Sequence, residues 1–307
     1  MTIYEEIAQS IERQFEAHSH TNLFYQHHEP GNQFLPESKE LISSYRDELL
    51  RIAREHKEGE WIDMMTDKAR QTFCRSNQFI DLRQEHLDQL REVYEALWWN
   101  IIEELGKSPI DFDRLQQNHL DRLKTWLKQT NNFVTEINKT GLPEIVEVVC
   151  AEYSASLQLQ LLHIDVATLL QPVLDLGCGE HAHLTRYLQK SGINAFGMDR
   201  IIEKDNEQYL ICYDWLDYPF VPDSWGSIIS NHSFALHFSH QNLRKDGSYI
   251  EYAKKYMEIL HSLQPGGSFY YTPSLPFIEQ FLPDDSYSVI TYPVTKEITA
   301  TRIIRQK

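Results

Sequence analysis

Carboxylates, glycines and imidazoles gather in the second half of the chain, at positions where each could meet a ligand. Asp175 stands two residues before Gly177 in Val173-Leu174-Asp175-Leu176-Gly177-Cys178-Gly179-Glu180. The apolar run reads as a short buried strand, the glycines as the turn after it, and about His181 to Lys190 as a helix. Glycine has no Cβ, so a ligand can come close to the backbone, and the helix start adds unpaired N–H groups. Asp199 follows about 20 residues past Gly179, the spacing of the acid that binds ribose in nucleotide folds. Its carboxylate can accept from both ribose hydroxyls. Further on, Ser230-Asn231-His232-Ser233-Phe234-Ala235-Leu236-His237-Phe238 carries two imidazoles, which can take a proton near neutral pH. His232 is the first candidate for a general base and His237 the second.

Gly177-x-Gly179-x-x-Ala182 fits the dinucleotide fingerprint G-x-G-x-x-G/A of a Rossmann-like βαβ unit. Asp175 separates the ligand classes that use such a turn. A carboxylate at the strand end repels a pyrophosphate and attracts a ligand carrying an ammonium and a sulfonium. S-adenosylmethionine (SAM) is such a ligand, with S-adenosylhomocysteine (SAH) as its product after methyl transfer.

Val-Leu-Asp-Leu-Gly-Cys-Gly resembles the first motif of class I SAM-dependent methyltransferases, and four further stretches fall in that family's order over about the last half of the chain. The resemblance implies that Asp214 accepts from the adenine amino group and that the backbone N–H of Trp215 contacts the ring. Ile201 would pack on the adenine face. It places a helix before the first strand whose residues approach the methionine end of SAM, with Tyr153 the residue to watch. The stretch from Asn231 would lie between SAM and substrate. Cys178 and Arg200, beside these positions, are grouped with them as cofactor-binding candidates. Gln264-Pro265-Gly266-Gly267 resembles the family's turn before the fifth strand. The Asn/Asp-Pro-Pro-Tyr/Phe signature of enzymes methylating amino groups of bases or glutamine is missing, as is the acidic pattern of catechol-type metal-dependent enzymes. His27-His28 and His181-x-His183 lack partners at metal-ligand spacing, so no metal is expected.

Strands and helices must hold these residues in place. Strands are expected at Ile193–Met198 ending at Asp199, Tyr209–Tyr213 ending at Asp214, Gly226–Ser230 ending at Asn231, and Ser268–Thr272. Tyr249–Leu263 should be helical. Short apolar strands alternating with helices imply a parallel sheet covered on both faces. Val289–Val294 and Ile298–Ile304 read as a closing hairpin, matching the antiparallel pair that ends the methyltransferase sheet. Pro143 should open a helix running from 144 to about 169. Upstream, Thr2-x-x-Glu5 is a capping box before Ile3, Ile7, Ile11 and Phe15. The periodicity fails from Ser19 to Pro36, a stretch holding His20, His27 and His28 and long enough for a lid. Pro36 opens a second helix through Ala53, with Gly59 at or just past its end. Ser76 to Leu105 forms a longer helix, and Leu115–Leu127 marks another.

The fold class is therefore α/β: a Rossmann-like doubly wound sheet with a closing antiparallel hairpin, preceded by an all-helical N-terminal cap domain. Residues 1–141 would be the cap and 142–307 the SAM-binding core. At 307 residues the chain suits two domains, and its 41% hydrophobic content supplies a sizeable core. Lys+Arg 29 against Asp+Glu 45 gives −16, which disfavours binding a phosphate backbone or an anionic membrane. The four cysteines form no C-x-x-C pair and suit a reducing, cytoplasmic setting. These features point to methyl transfer onto a small-molecule acceptor, an O- or N-nucleophile, without nucleic-acid or membrane partners. The rival readings are a non-catalytic SAM-binding scaffold and a nicotinamide-dependent oxidoreductase; Asp175 argues against the latter.

Overall fold

In the computed structural model, which describes residues 2–18, 33–76, 79–80, 82–131, 153–202, 207–245, 247–295 and 298–307, Thr2 and Glu5 form the reciprocal cap expected for the first helix. Glu5 N donates to Thr2 Oγ1 at 3.3 Å, and Thr2 N to Glu5 Oε2 at 2.7 Å. The chain divides into two compact units, Met1–Val148 and Val149–Lys307.

The first unit is helical among its described residues: α1 (Ile3–His18), α2 (Pro36–Ser44), α3 (Arg46–Glu55), α4 (Gly59–Ser76), α5 (Gln84–Leu105) and α6 (Phe112–Thr130). The helix expected from Pro36 through Ala53 is in fact two, divided at Tyr45, whose hydroxyl donates to Glu6 on α1 at 2.6 Å. Gly59 lies just past the end of α3, as expected, and opens the next helix. The reason α4 escapes pattern reading is its sparse apolar face: Trp61, Ile62, Ala69 and Cys74 are buried, with polar Arg70 and Gln71 among them. Trp61 packs against Trp98 at 5.7 Å and Phe73 against Trp126 at 5.3 Å, so aromatic contacts hold α4 to α5 and α6. α5 starts at Gln84 and not near Ser76. The stretch expected to be irregular, with His20, His27 and His28, lies outside the described residues at 19–32, as do 132–152 with the start of the helix expected from 144.

The second unit carries a seven-stranded sheet in the order β3-β2-β1-β4-β5-β7-β6. Its strands are β1 (Val173–Leu176), β2 (Ala195–Asp199), β3 (Leu210–Cys212), β4 (Trp225–Asn231), β5 (Leu263–Thr272), β6 (Tyr287–Pro293) and β7 (Thr299–Arg305). β1 to β5 are parallel, and β7 joins β5 and β6 antiparallel, so the expected closing hairpin is present. Side chains alternate between two cores, as a sheet buried on both faces requires. Leu174, Leu176, Ile228, Phe269, Tyr271 and Ile303 lie in one core. Val173, Ile229, Tyr270 and Ala300 lie in the other. The first is covered by α9 (Phe234–Leu243) and α10 (Tyr249–Ser262), the second by α7 (Ala155–Leu161) and α8 (His183–Lys190). This is a doubly wound Rossmann-like sheet.

Two expectations need correction. α7 stops at Leu161, not near 169, because His163 turns into the left-handed region (φ 52°) and Asp165 caps a short 3-10 turn, accepting from Ala167 N at 3.0 Å. Gln264–Gly267 is not a separate turn. It bulges within β5, between the pairs Trp225↔Leu263 and Ser227↔Ser268. The stretch that carries His232 and His237 leads into α9, which begins at Phe234. Among the described residues no helix is long and apolar enough to cross a membrane.

Candidate active site

The loops leaving β1 and β4 run to opposite faces of the sheet. β1 leads to α8, whose Leu184 and Leu188 belong to one core; β4 leads to α9, whose Phe234 and Phe238 belong to the other. β1 and β4 are neighbours, so their carboxyl ends flank the switch point where open α/β sheets bind ligands.

The glycine turn fills one side. Gly177 and Gly179 have φ of +80° and +73°, a region L side chains rarely enter. Gly177 N and Cys178 N donate to Met198 O on β2 at 2.8 and 3.2 Å, and Gly179 N donates to Asp199 Oδ2 at 3.0 Å. The other oxygen of Asp199 accepts from Ile201 N at 3.1 Å. Asp199 thus ties the turn to the end of β2. Burial pushes its carboxyl up, opposed by the hydrogen bonds from Gly179 and Ile201. Cys178 is half-buried, and burial raises its thiol well above the ordinary range, aided by Asp175 and Asp199.

Asp175 lies beneath the turn. It is 2% exposed and accepts from Thr185 Oγ1 on α8 at 2.9 Å. Burial pushes its carboxyl up to about 7, against the Thr185 hydrogen bonds and with Asp199 adding to the rise. The folded carboxyl keeps its proton to a higher pH than the unfolded one, whose ordinary value is 3.8. The folded state binds more protons in that window, so this group's contribution to stability falls as pH rises from about 4 to about 7. Asp175→Asn should remove that slope. Urea unfolding at several pH values should show the variant gaining on the wild type as pH climbs. A difference that stays flat over the window would show that Asp175 titrates normally.

The loop after β3 brings Asp214, whose Oδ1 accepts from Leu216 N at 2.9 Å and whose Oδ2 faces Arg200 Nη1 at 3.5 Å. Lys255 on α10 pins this loop, donating to Tyr218 O at 3.0 Å and Glu258 at 2.6 Å. Trp215 is 7% exposed and packs into the core, its ring edge-on to His237 at 4.9 Å and to Phe234 at 6.0 Å. Its side chain thus packs against the start of α9.

The structure divides the two histidines. His237 is buried within α9, and burial, with Arg200 and His240 adding, keeps it well below the ordinary imidazole value. His232 is half-buried in the loop after β4, with φ +50°. Its N–H donates to Thr272 O at 3.0 Å, its Nδ1 lies 2.9 Å from Asn231 Oδ1, and the ring of Tyr153 stands edge-on at 6.1 Å. Burial lowers its pKa, so the ring is neutral at pH 7 and able to accept a proton.

Sequence reading passed over Ser230, Ser233, Thr185 and Lys255. Ser233 Oγ donates to Leu176 O at 2.7 Å and lies 2.6 Å from Ser230 Oγ, which accepts from Phe234 N at 3.1 Å. These hydroxyls join the loops after β1 and β4. Only the polar pair i, i+3 at a helix start could have signalled them. His181 and His183 lie 5.5 Å apart at the start of α8. Among the described residues no group of three or more His, Cys, Asp or Glu is placed to hold a metal ion.

No family model and no curated protein matches the chain. Solved structures do match. One is the Burkholderia thailandensis 1,6-didemethyltoxoflavin-N1-methyltransferase with SAH bound, at 11% identity and TM-score 0.34 over 61% of this chain and 86% of that one. A SAM-dependent methyltransferase from Mesorhizobium loti matches at 17% identity and TM-score 0.30, over 46% and 61%. The [4+2]-cyclase SpnF matches at 14% and 0.35, over 51% and 84%.

Proposed function

We propose that the chain is a SAM-dependent methyltransferase acting on a small-molecule acceptor through an O- or N-nucleophile. The observation that carries this reading is the pair of carboxyl groups at the switch point. Two carboxyl groups, Asp175 below and Asp199 beside, flank a turn that two left-handed glycines shape. That set favours a ligand with an ammonium and a sulfonium and disfavours a pyrophosphate. In this reading Asp199 accepts from the ribose hydroxyls with its remaining lone pairs, and Asp214 and the Trp215 N–H hold the adenine beside Ile201. Gly177, Cys178, Gly179, Arg200, Asn231 and Tyr153 complete the cofactor surface.

When bound, SAM supplies a methyl group on a positively charged sulfur. The chain's own task is then to align the acceptor in line with that methyl and keep water out. His232, neutral and partly withdrawn from solvent, takes the proton that a hydroxyl acceptor must lose. Residues 1–141 are proposed as the cap that selects the acceptor and 142–307 as the SAM-binding core, working in the cytoplasm without nucleic acid, membrane or metal.

Calorimetry with SAM, SAH and NADH tests the reading. Heat from SAM and SAH and none from NADH is expected. Asp199→Ala leaves the ribose hydroxyls poorly paired, so SAM affinity should fall by about 1–3 kcal/mol. NADH binding without SAM binding would instead point to an oxidoreductase. SAM binding with no SAH formed from any acceptor in a metabolite extract would point to a scaffold.

A further inference from the structure

Neighbouring side chains on a strand point to opposite faces, so Asn231 and His232 should not meet. They do meet, because His232 leaves β4 with φ +50° and turns its ring back onto the carboxamide. A non-glycine residue in this region carries backbone strain, and such strain gathers at functional sites. The His232 N–H bond to Thr272 O at 3.0 Å holds the backbone in that state. On its other side the Tyr153 ring stands at 89° to the imidazole, 6.1 Å away.

The contact has a chemical consequence. An amide oxygen only accepts hydrogen bonds, so Asn231 Oδ1 at 2.9 Å requires a proton on His232 Nδ1. A neutral imidazole then has its bare lone pair on Nε2. We propose that Asn231 is a positioning residue that selects this tautomer of His232 and aims Nε2 as the proton acceptor. The proposal rests on the reading of His232 as the general base. It moves Asn231 from the cofactor surface to the base, with its Nδ2 donors still able to serve a ligand.

The test is the ¹⁵N signature of His232 in histidine-labelled full-length protein, assigned by its loss in His232→Ala. Wild type should show a protonated Nδ1 and a bare Nε2. Asn231→Ala should shift the ring toward the other tautomer and lower turnover roughly 10- to 100-fold, the order of loss for the partner that orients a metal-bound imidazole. Asn231→Asp keeps an acceptor and should keep the Nδ1–H signature, which guards against a variant that merely folds poorly. A wild-type ring protonated on Nε2, or unchanged shifts in Asn231→Ala, overturns the proposal. Normal turnover in His232→Ala would overturn the general-base reading instead, while the wild-type shifts still decide the role of Asn231.

Discussion

His232→Ala should lower methyl transfer by about 10²–10⁴-fold while SAM affinity changes little, the size expected for loss of a general base. The side chain is half-buried with its backbone strained, so the fold should tolerate its removal. A second variant makes the separation sharper. His232→Gly suits φ +50° and should unfold at a higher urea concentration than His232→Ala, yet turn over no faster. Stability would then differ between the two variants while turnover stays equally low, which a packing role does not explain. Measuring them needs an acceptor, found by screening metabolite extracts for SAH formation. If both variants turn over normally, the imidazole is structural and the enzyme works by alignment alone.

Gly177→Val should abolish SAM binding and lower the unfolding midpoint markedly. A Cβ at this position would fall 2.4 Å from Ser233 Cβ and 2.6 Å from Ser233 Oγ. Neither atom can retreat, since Ser233 Oγ is held by Leu176 O and by Ser230. A β-branched residue at φ +80° adds backbone strain of about 1–3 kcal/mol, and overpacking costs about 1–3 kcal/mol more. Relief can come only by moving the turn that contacts Met198 and Asp199, which is the surface proposed to hold the cofactor. Gly177→Ala should do the same to a lesser degree. Combined with Ser233→Gly it should lose less stability than the two single changes added, because the closest steric conflict lies between them. A Gly177→Val protein with wild-type stability and SAM affinity would show that the turn can rearrange freely.

Much of this architecture is legible in the amino-acid sequence because local chemistry determines it. Val173–Leu176 is apolar at every position except Asp175, and the glycines follow where the backbone needs φ above zero. Strand ends at Asp199 and Asn231 coincide with the residues singled out, and the hairpin closes where the alternation predicts. The polarity of Asp199 and Asp214 marks them too, since each ends an apolar run. What the sequence could not determine depends on contacts between distant segments. α4 is held by aromatic residues of α5 and α6, so its own pattern is too thin to reveal it. Asp175 reads as a charge facing a ligand. Only the packing of α8 buries it, bonds it to Thr185 and lifts its carboxyl to about 7. His232 and His237 both stand as base candidates five residues apart, and the tertiary structure separates their surroundings. One sits inside a helix against Trp215; the other lies at a strained turn against Asn231. Ser233 meets Gly177 across 56 residues of chain because β4 inserts beside β1, a choice made by the pairing of the whole sheet and by no segment alone.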